Sequence, residues 1–229
     1  MYVKDHMTKE LYTITADTVL SKAIDIMRKN DFHRLPVVDG AGKLIGLITG
    51  GLVEESSGSR NTSLSIYELN YLFSRTKVSD IMIRDVKTIT ADVLVEEAAQ
   101  KMVDNEIACL PVVDAENRVI GIITDKDIFQ ALIGLLGYKH QGTRYVIGCE
   151  DNPGFMVGVA KAFADNDANL EALAVYHSEE RGTELVIKAT GEILVNDMTK
   201  VLLGAGYDVR DVVQTTWEGD IVHYSPTGE

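Results

Sequence analysis

Apolar residues along this chain follow two rhythms, and each is written twice. Val19, Leu20, Ala23, Ile24 and Met27 recur at helical spacing, followed by the short apolar runs LPVV at 35–38 and LIGLIT at 44–49. Seventy-five residues later Leu94, Val95, Ala98, Ala99 and Met102 repeat the helical spacing, and LPVV at 110–113 and VIGIIT at 119–124 repeat the runs. The first pattern predicts a helix with one buried face; uninterrupted short runs predict buried strands. The turns DGAGK (39–43) and DAENR (114–118) make each strand pair a hairpin.

The same offset aligns Val3, Asp5 and Met7 with Val78, Asp80 and Met82, and TITAD at 13–17 with TITAD at 88–92, without an insertion. Each unit opens on a β-prone piece (YTIT, KTIT), with Asp17 and Thr18, or Asp92, expected to cap the helix that follows. A second helix closes each unit. One unit buries too little apolar surface to stand alone, so the two copies are expected to pack their sheets into one module. They differ at one telling place: GLITGGL (46–52) ends in Leu52, whereas GIITDKD (121–127) ends in Asp127.

Residues 1–60 and 78–138 are the two repeats, and 61–77 reads as a helical connector with Leu64, Ile66, Leu69, Leu72 and Phe73 available for burial. From Arg144 the pattern changes. RYVIGCED reads as a strand, followed by a helix capped by Asn152 with Pro153 at its first position and Phe155, Val159, Ala160 and Phe163 facing inward. NLEALAVYHS and TELVIKAT read as strands, ILVNDMTKVLLGAG as a helix and DVRDVVQTT as a last strand. Residues 143–216 therefore form a βαββαβ domain, and the whole is an α/β (α+β) chain. The tail 217–229 reads equally as a docked arm or as disordered.

Charge narrows the function classes. The net charge is −13, and residues 143–229 hold 15 acidic against 6 basic side chains, a field that repels phosphate backbones and argues against nucleic acid as partner. Cys109 and Cys149 lie in apolar runs with no metal or disulfide spacing, so core thiols are expected. No apolar run is long enough to span a bilayer, and the charged start lacks a signal core, so the cytoplasm is the expected compartment. His6, His140, His177 and His223 are scattered, and there is no Walker loop or GxGxxG, so no enzyme is expected.

The doubled V-x-D-x-M, TIT, LPVVD and G-x-x-T pattern, completed by Asp127 in copy two, resembles a pair of cystathionine β-synthase (CBS) domains, a Bateman module that senses adenosine nucleotides. The third segment, with Asp151-Asn152-Pro153-Gly154 opening its helix, resembles a ferredoxin-like ACT domain, a fold that binds amino acids as regulatory signals. The order of the three segments, with the connector, is similar to that of the acetoin utilisation (AcuB) family.

Chemistry and resemblance then converge on one candidate site. A carboxylate can accept two hydrogen bonds from vicinal ribose hydroxyls, which suits Asp127, with the Thr124 hydroxyl beside it; the alternative is that Asp127 merely caps its helix. The resemblance to the gamma subunit of AMP-activated protein kinase implies a composite site: Thr124 and Asp127 from copy two, with Thr13, Ile14, Val19, His33 and Arg34 from copy one. Adenine is expected against Tyr12 to Ile14 and Val19, phosphate on Arg34, and a second phosphate on Lys126. The mirror-image site, with Thr49, Leu52, Ala108 and Cys109, is expected to lack both the ribose acceptor and the phosphate cations. In the ACT-like segment Asn152, Pro153 and Gly154 at a helix start suit an amino-acid carboxylate, with Asn169 near its amine; a plain capped helix start is the alternative.

These expectations describe a regulatory protein with no obligatory cofactor. Its ligand is AMP, ADP or ATP, with S-adenosylmethionine the less favoured choice; an amino acid is a second candidate ligand. A homodimer and an unidentified target protein, in acetoin or acetyl-CoA metabolism, are the expected partners. The alternative is a non-catalytic scaffold with vestigial sites.

Overall fold

The computed structural model describes residues 1–56, 66–149 and 152–228, without the side chains of residues 66, 69 and 70. The chain folds as two units, Met1–Phe129 and Gln130–Glu229. The burial expected of Leu64, Ile66 and Leu69 falls on side chains outside the described residues.

The first unit runs α1 (Val3–His6), β1 (Ile14–Thr15), α2 (Leu20–Asn30), β2 (Arg34–Val38), β3 (Leu44–Thr49) and α3 (Gly50–Ser56). It continues through α4 (Ile66–Arg75), α5 (Val78–Ile81), α6 (Val95–Asp104), β4 (Cys109–Val113), β5 (Val119–Thr124) and α7 (Asp125–Leu135), which leads into the second unit. β2 and β3 pair antiparallel, with β1 parallel to β2, and β4 pairs with β5 in the same register as its counterpart. Where β1 would recur, a single parallel bridge joins Ile89 to Val112, matching Ile14 to Val37 in the first copy. The hairpins turn on Gly42 (φ 77°) and Asn117 (φ 63°), left-handed positions that glycine and asparagine tolerate.

The two repeats exchange their leading segments. Val78 N–H and Ser79 N–H donate to Thr18 and Ala16 carbonyls, Ile83 pairs both ways with Leu47, and Val78 and Met82 complete the core formed by Ala23, Leu35, Val37 and Ile48. Reciprocally, Val3 N–H and Lys4 N–H donate to Val93 and Ala91 carbonyls, Thr8 pairs both ways with Ile122, and Val3 completes the core of Ala98, Leu110, Val112 and Ile123. Each core is therefore incomplete without the other repeat.

This exchange also corrects the expected helix caps. The N-cap positions are Val19 and Leu94, not Asp17, Thr18 or Asp92. The first helical N–H groups are satisfied by backbone from the exchanged segments, Leu20 N–H on the Thr76 carbonyl and Val95 N–H on the Met1 carbonyl. The aspartates are left to pair with lysines, Asp17 with Lys77 at 2.6 Å and Asp92 with Lys4 at 2.8 Å.

The second unit contains β6 (Gly142–Cys149), α8 (Phe155–Ala164), β7 (Asn169–Ser178), β8 (Gly182–Thr190), α9 (Val195–Gly204), β9 (Asp208–Thr215) and β10 (Ile221–Tyr224). The antiparallel sheet has the order β10-β9-β6-β8-β7, and α8 and α9 pack Val159, Phe163, Met198 and Leu202 on one face against Tyr145, Ile147, Leu185, Ile187 and Val212. The tail is thus partly strand: β10 pairs with β9, and the Tyr224 hydroxyl donates to Gln214 Oε1 at 2.9 Å. α8 starts at Phe155 with Gly154 as N-cap, rather than at Pro153 behind an Asn152 cap. Gly154 sits at φ 92°, outside helical backbone, so 152–154 make a turn before the helix begins.

Candidate functional site

β2 and β4 each begin at a cavity shared between the two repeats. The smaller, about 210 Å³, is lined by His33, Arg34, Tyr12 and Phe32 from copy one and by Ile122, Thr124 and Lys126 from copy two. Tyr12 and Phe32 form one wall as a tilted pair, ring centroids 5.4 Å apart. The larger, about 460 Å³, is its pseudo-symmetric twin, with Thr49, Ile83, Lys87, Ala108 and Cys109 at positions offset by 75 from Thr124, Thr8, Tyr12, His33 and Arg34.

The candidate residues divide between them. His33, Arg34, Thr124 and Lys126 meet around the smaller cavity. Thr13, Ile14, Val19 and Asp127 do not line it. Ile14 is buried in the first repeat's core, because strand alternation turns it inward while Thr13 stays exposed. Asp127 closes the start of α7. Its Oδ2 accepts hydrogen bonds from Thr124 N–H at 2.7 Å and Thr124 Oγ1 at 2.8 Å, a capping-box arrangement. Phe32 was missed by the sequence reading; its position directly before His33 was the available signal.

The twin cavity differs from expectation. His33 and Arg34 line it as well, together with Lys87, so cations face both cavities, and both carry carboxylates too, Glu10 and Asp31 at the smaller and Glu54 and Asp85 at the larger. The residues at the starts of β2 and β4, His33 and Arg34 with Ala108 and Cys109, line the larger cavity together, and the first two also line the smaller. Burial pushes the Cys109 thiol up, with Arg34 acting in the opposite direction, which keeps the thiol protonated and unreactive.

In the second unit, Asn152, Pro153 and Gly154 line a cavity of about 450 Å³ with Cys149, Phe155, Val157, Val175 and Leu185. Asn169 does not line it; it begins β7 and its Nδ2 donates to Glu171 Oε1 at 2.9 Å. Among the described residues no group of three or more His, Cys, Asp or Glu side chains could hold a metal ion, and no helix is long and apolar enough to cross a membrane.

Comparison with known proteins converges on the first unit. The family model described as CBS domain matches residues 3–50 and 78–134. A CBS domain-containing protein of Dictyostelium discoideum is 36% identical over 143 residues, covering 58% of this chain and 92% of that protein. The inosine-5'-monophosphate dehydrogenase of Methanocaldococcus jannaschii is 29% identical over 196 residues, 86% of this chain but only 36% of the enzyme's length. Among solved structures, the CBS domain pair of protein MJ0100 in complex with 5'-methylthioadenosine and S-adenosyl-L-methionine matches at 30% identity and a TM-score of 0.50, covering 58% of this chain and 97% of that one.

Proposed function

This chain belongs to the CBS-domain proteins, and from that premise we propose that it is a regulatory protein that binds an adenosine nucleotide in the smaller inter-repeat cavity. The observation that carries the reading is the convergence there of the Arg34 guanidinium, His33 and Lys126 with the Thr124 hydroxyl and the Tyr12–Phe32 wall. Arg34 suits a phosphate through its planar fork, and the aromatic wall suits the base. Both hydrogen bonds that Asp127 accepts fall on Oδ2, and this reading assigns its Oδ1 to a ribose hydroxyl, although Asp127 does not line the cavity itself. A cavity of about 210 Å³ lies below the usual size of a ligand site, so this reading takes the smallest of the three nucleotides, AMP. The ligands of the MJ0100 pair, both adenosine derivatives, support the class and keep S-adenosylmethionine among the alternatives.

In this reading the nucleotide biases the packing of one repeat against the other, and that difference is the signal passed to a target protein. The second unit serves as a ferredoxin-like ACT domain, its sheet edge pairing in a homodimer and its Asn152-Pro153-Gly154 cavity open to an amino acid. A role in acetoin metabolism rests on the order of the segments alone. A second reading, a scaffold whose sites are vestigial, is favoured by one observation: the Thr124–Asp127 hydrogen bonds account for both residues without a ligand. Calorimetric titration of ligand-free protein with AMP, ADP, ATP and S-adenosylmethionine separates the two. Saturable binding of one of them supports the sensor, and silence with all four supports the scaffold.

A further inference from the structure

One His-Arg pair serves two cavities in the first unit. His33 and Arg34 line both, while the residues 75 positions later, Ala108 and Cys109, line only the larger and supply no cation. The charge of Arg34 reaches the larger cavity's wall, where it acts to lower the Cys109 thiol against the upward push of burial. Among the described residues the Arg34 guanidinium is in no ion pair, so no carboxylate ties it to either side.

Each cavity has one lysine of its own, and in neither does that lysine outweigh the carboxylates. Lys126 lines the smaller with Glu10 and Asp31. Lys87 lines the larger with Glu54 and Asp85, and its ammonium is tied to Asp85 at 2.9 Å. Arg34 is therefore the charge that makes either cavity receptive to an anion. A guanidinium clamps a phosphate through two parallel hydrogen bonds of its planar fork, so one arginine serves one phosphate well and two poorly. Two phosphates drawn to the same cation also repel each other, and more strongly in a partly dehydrated site than in water.

We propose that the two cavities are mutually exclusive for phosphate-bearing ligands, so that inorganic phosphate or a phosphate monoester held in the larger one is a negative effector of nucleotide binding in the smaller. This rests on the nucleotide reading above and adds to it a second ligand and the sign of its effect. The larger cavity offers Arg34, His33 and Thr49 to a phosphate, with Leu47, Ile83 and Val86 as apolar walls. Its repeat has Leu52 in place of Asp127, so it selects for phosphate rather than for ribose. By linkage the effect is reciprocal, and the nucleotide weakens phosphate binding by the same factor.

Ligand-free, full-length protein is titrated with AMP by calorimetry, first without phosphate and then at rising inorganic phosphate, with ionic strength held constant by sodium chloride. The parent is expected to bind about one AMP per chain, with an apparent affinity that falls at least about tenfold at high phosphate. Two variants separate this effect from direct competition in the smaller cavity, because both positions line only the larger. Ala108→Leu fills it, and Lys87→Ala leaves its carboxylates unopposed. Each is expected to bind AMP like the parent without phosphate and to lose most of the phosphate effect. Silence with AMP in the absence of phosphate would remove the nucleotide reading, and this proposal with it. AMP binding unmoved by phosphate, two AMP bound per chain with equal affinity, or a phosphate effect undiminished in both variants would each overturn the proposal alone.

Discussion

The Asp127 carboxylate accepts from both the backbone N–H and the hydroxyl of Thr124, at 2.7 and 2.8 Å, and so holds the strand-to-helix turn between β5 and α7 closed. The equivalent turn of the first repeat keeps only half of this arrangement: Thr49 Oγ1 accepts from Leu52 N–H at 3.2 Å, and Leu52 instead packs against the first repeat's core. One repeat spends the position on a polar cap, the other on apolar burial.

That contrast predicts opposite-looking substitutions with the same sign. Asp127→Ala removes a cap worth about 1 kcal/mol. Leu52→Asp gains at most a similar cap but gives up part of the roughly 1.5–3 kcal/mol that full leucine burial provides and brings a charge against the core. Both variants are expected to unfold at lower denaturant than the parent. A Leu52→Asp protein more stable than the parent would show that cap and core do not compete at this turn.

Arg34 lines both cavities, whereas Lys126 lines only the smaller and Lys87 only the larger. Arg34→Ala is therefore expected to weaken AMP binding by about 10- to 100-fold, the loss of a charge-assisted phosphate contact worth roughly 1.5–3 kcal/mol. Because the side chain is at the surface of the cavities and not in either core, the unfolding midpoint should hardly move. Calorimetry and urea unfolding on the same variant check the two halves of this prediction.

Gly121 and Gly46 are bound to the exchange of leading segments. A Cβ at Gly121 would meet Met7 Sδ at 2.5 Å, and one at Gly46 would meet Met82 Sδ at 2.5 Å. Either alanine must push away the methionine that the other repeat's leading segment delivers, at a cost of about 1–3 kcal/mol, towards the low end because methionine is flexible. Chemical unfolding of Gly121→Ala and Gly46→Ala should show comparable losses; a loss in only one would argue against equivalent exchange.

Burial, with Arg144 acting in the same direction, holds the Lys188 ammonium below its ordinary value of 10.5. The unfolded chain then binds the proton more tightly than the folded one, so stability rises with pH through the window that ends at 10.5 and is lower on the acid side. Lys188→Met abolishes this slope. Unfolding midpoints of the two proteins, measured from neutral pH to the ordinary lysine value, should differ most at the neutral end, with the methionine variant at least as stable.

Much of the first unit was legible because its signal is redundant: the same helical spacing, the same two apolar runs and the same turn residues occur at one fixed offset, and burial of one repeat's stripe predicts the other's. The order of elements in the second unit was legible for the ordinary reason that strand alternation and helix spacing differ in period. The exchanged segments were not. Val3 and Val78 look alike in sequence, and nothing local says that each belongs to the other repeat's core. Hidden with them was the satisfaction of the helix starts at Leu20 and Val95 by distant carbonyls, which made Asp17 and Asp92 look like caps. Of the candidate site residues, those at the start of β2 and the end of β5, His33, Arg34 and Thr124, lie on the cavity. Ile14 faces away because the pleat decides its side, and that depends on pairing rather than on composition. β10 was left open because four residues with no partner in view carry too little pattern to separate a strand from a tail.

The measurement that tests the central claim most directly is a pair of AMP titrations on otherwise identical, ligand-free proteins, Lys126→Ala and Lys87→Ala. The account predicts weaker binding in the first and parent-like binding in the second, since only Lys126 lines the cavity assigned to the nucleotide. Weakening in Lys87→Ala with Lys126→Ala unchanged would move the ligand to the larger twin and contradict that assignment.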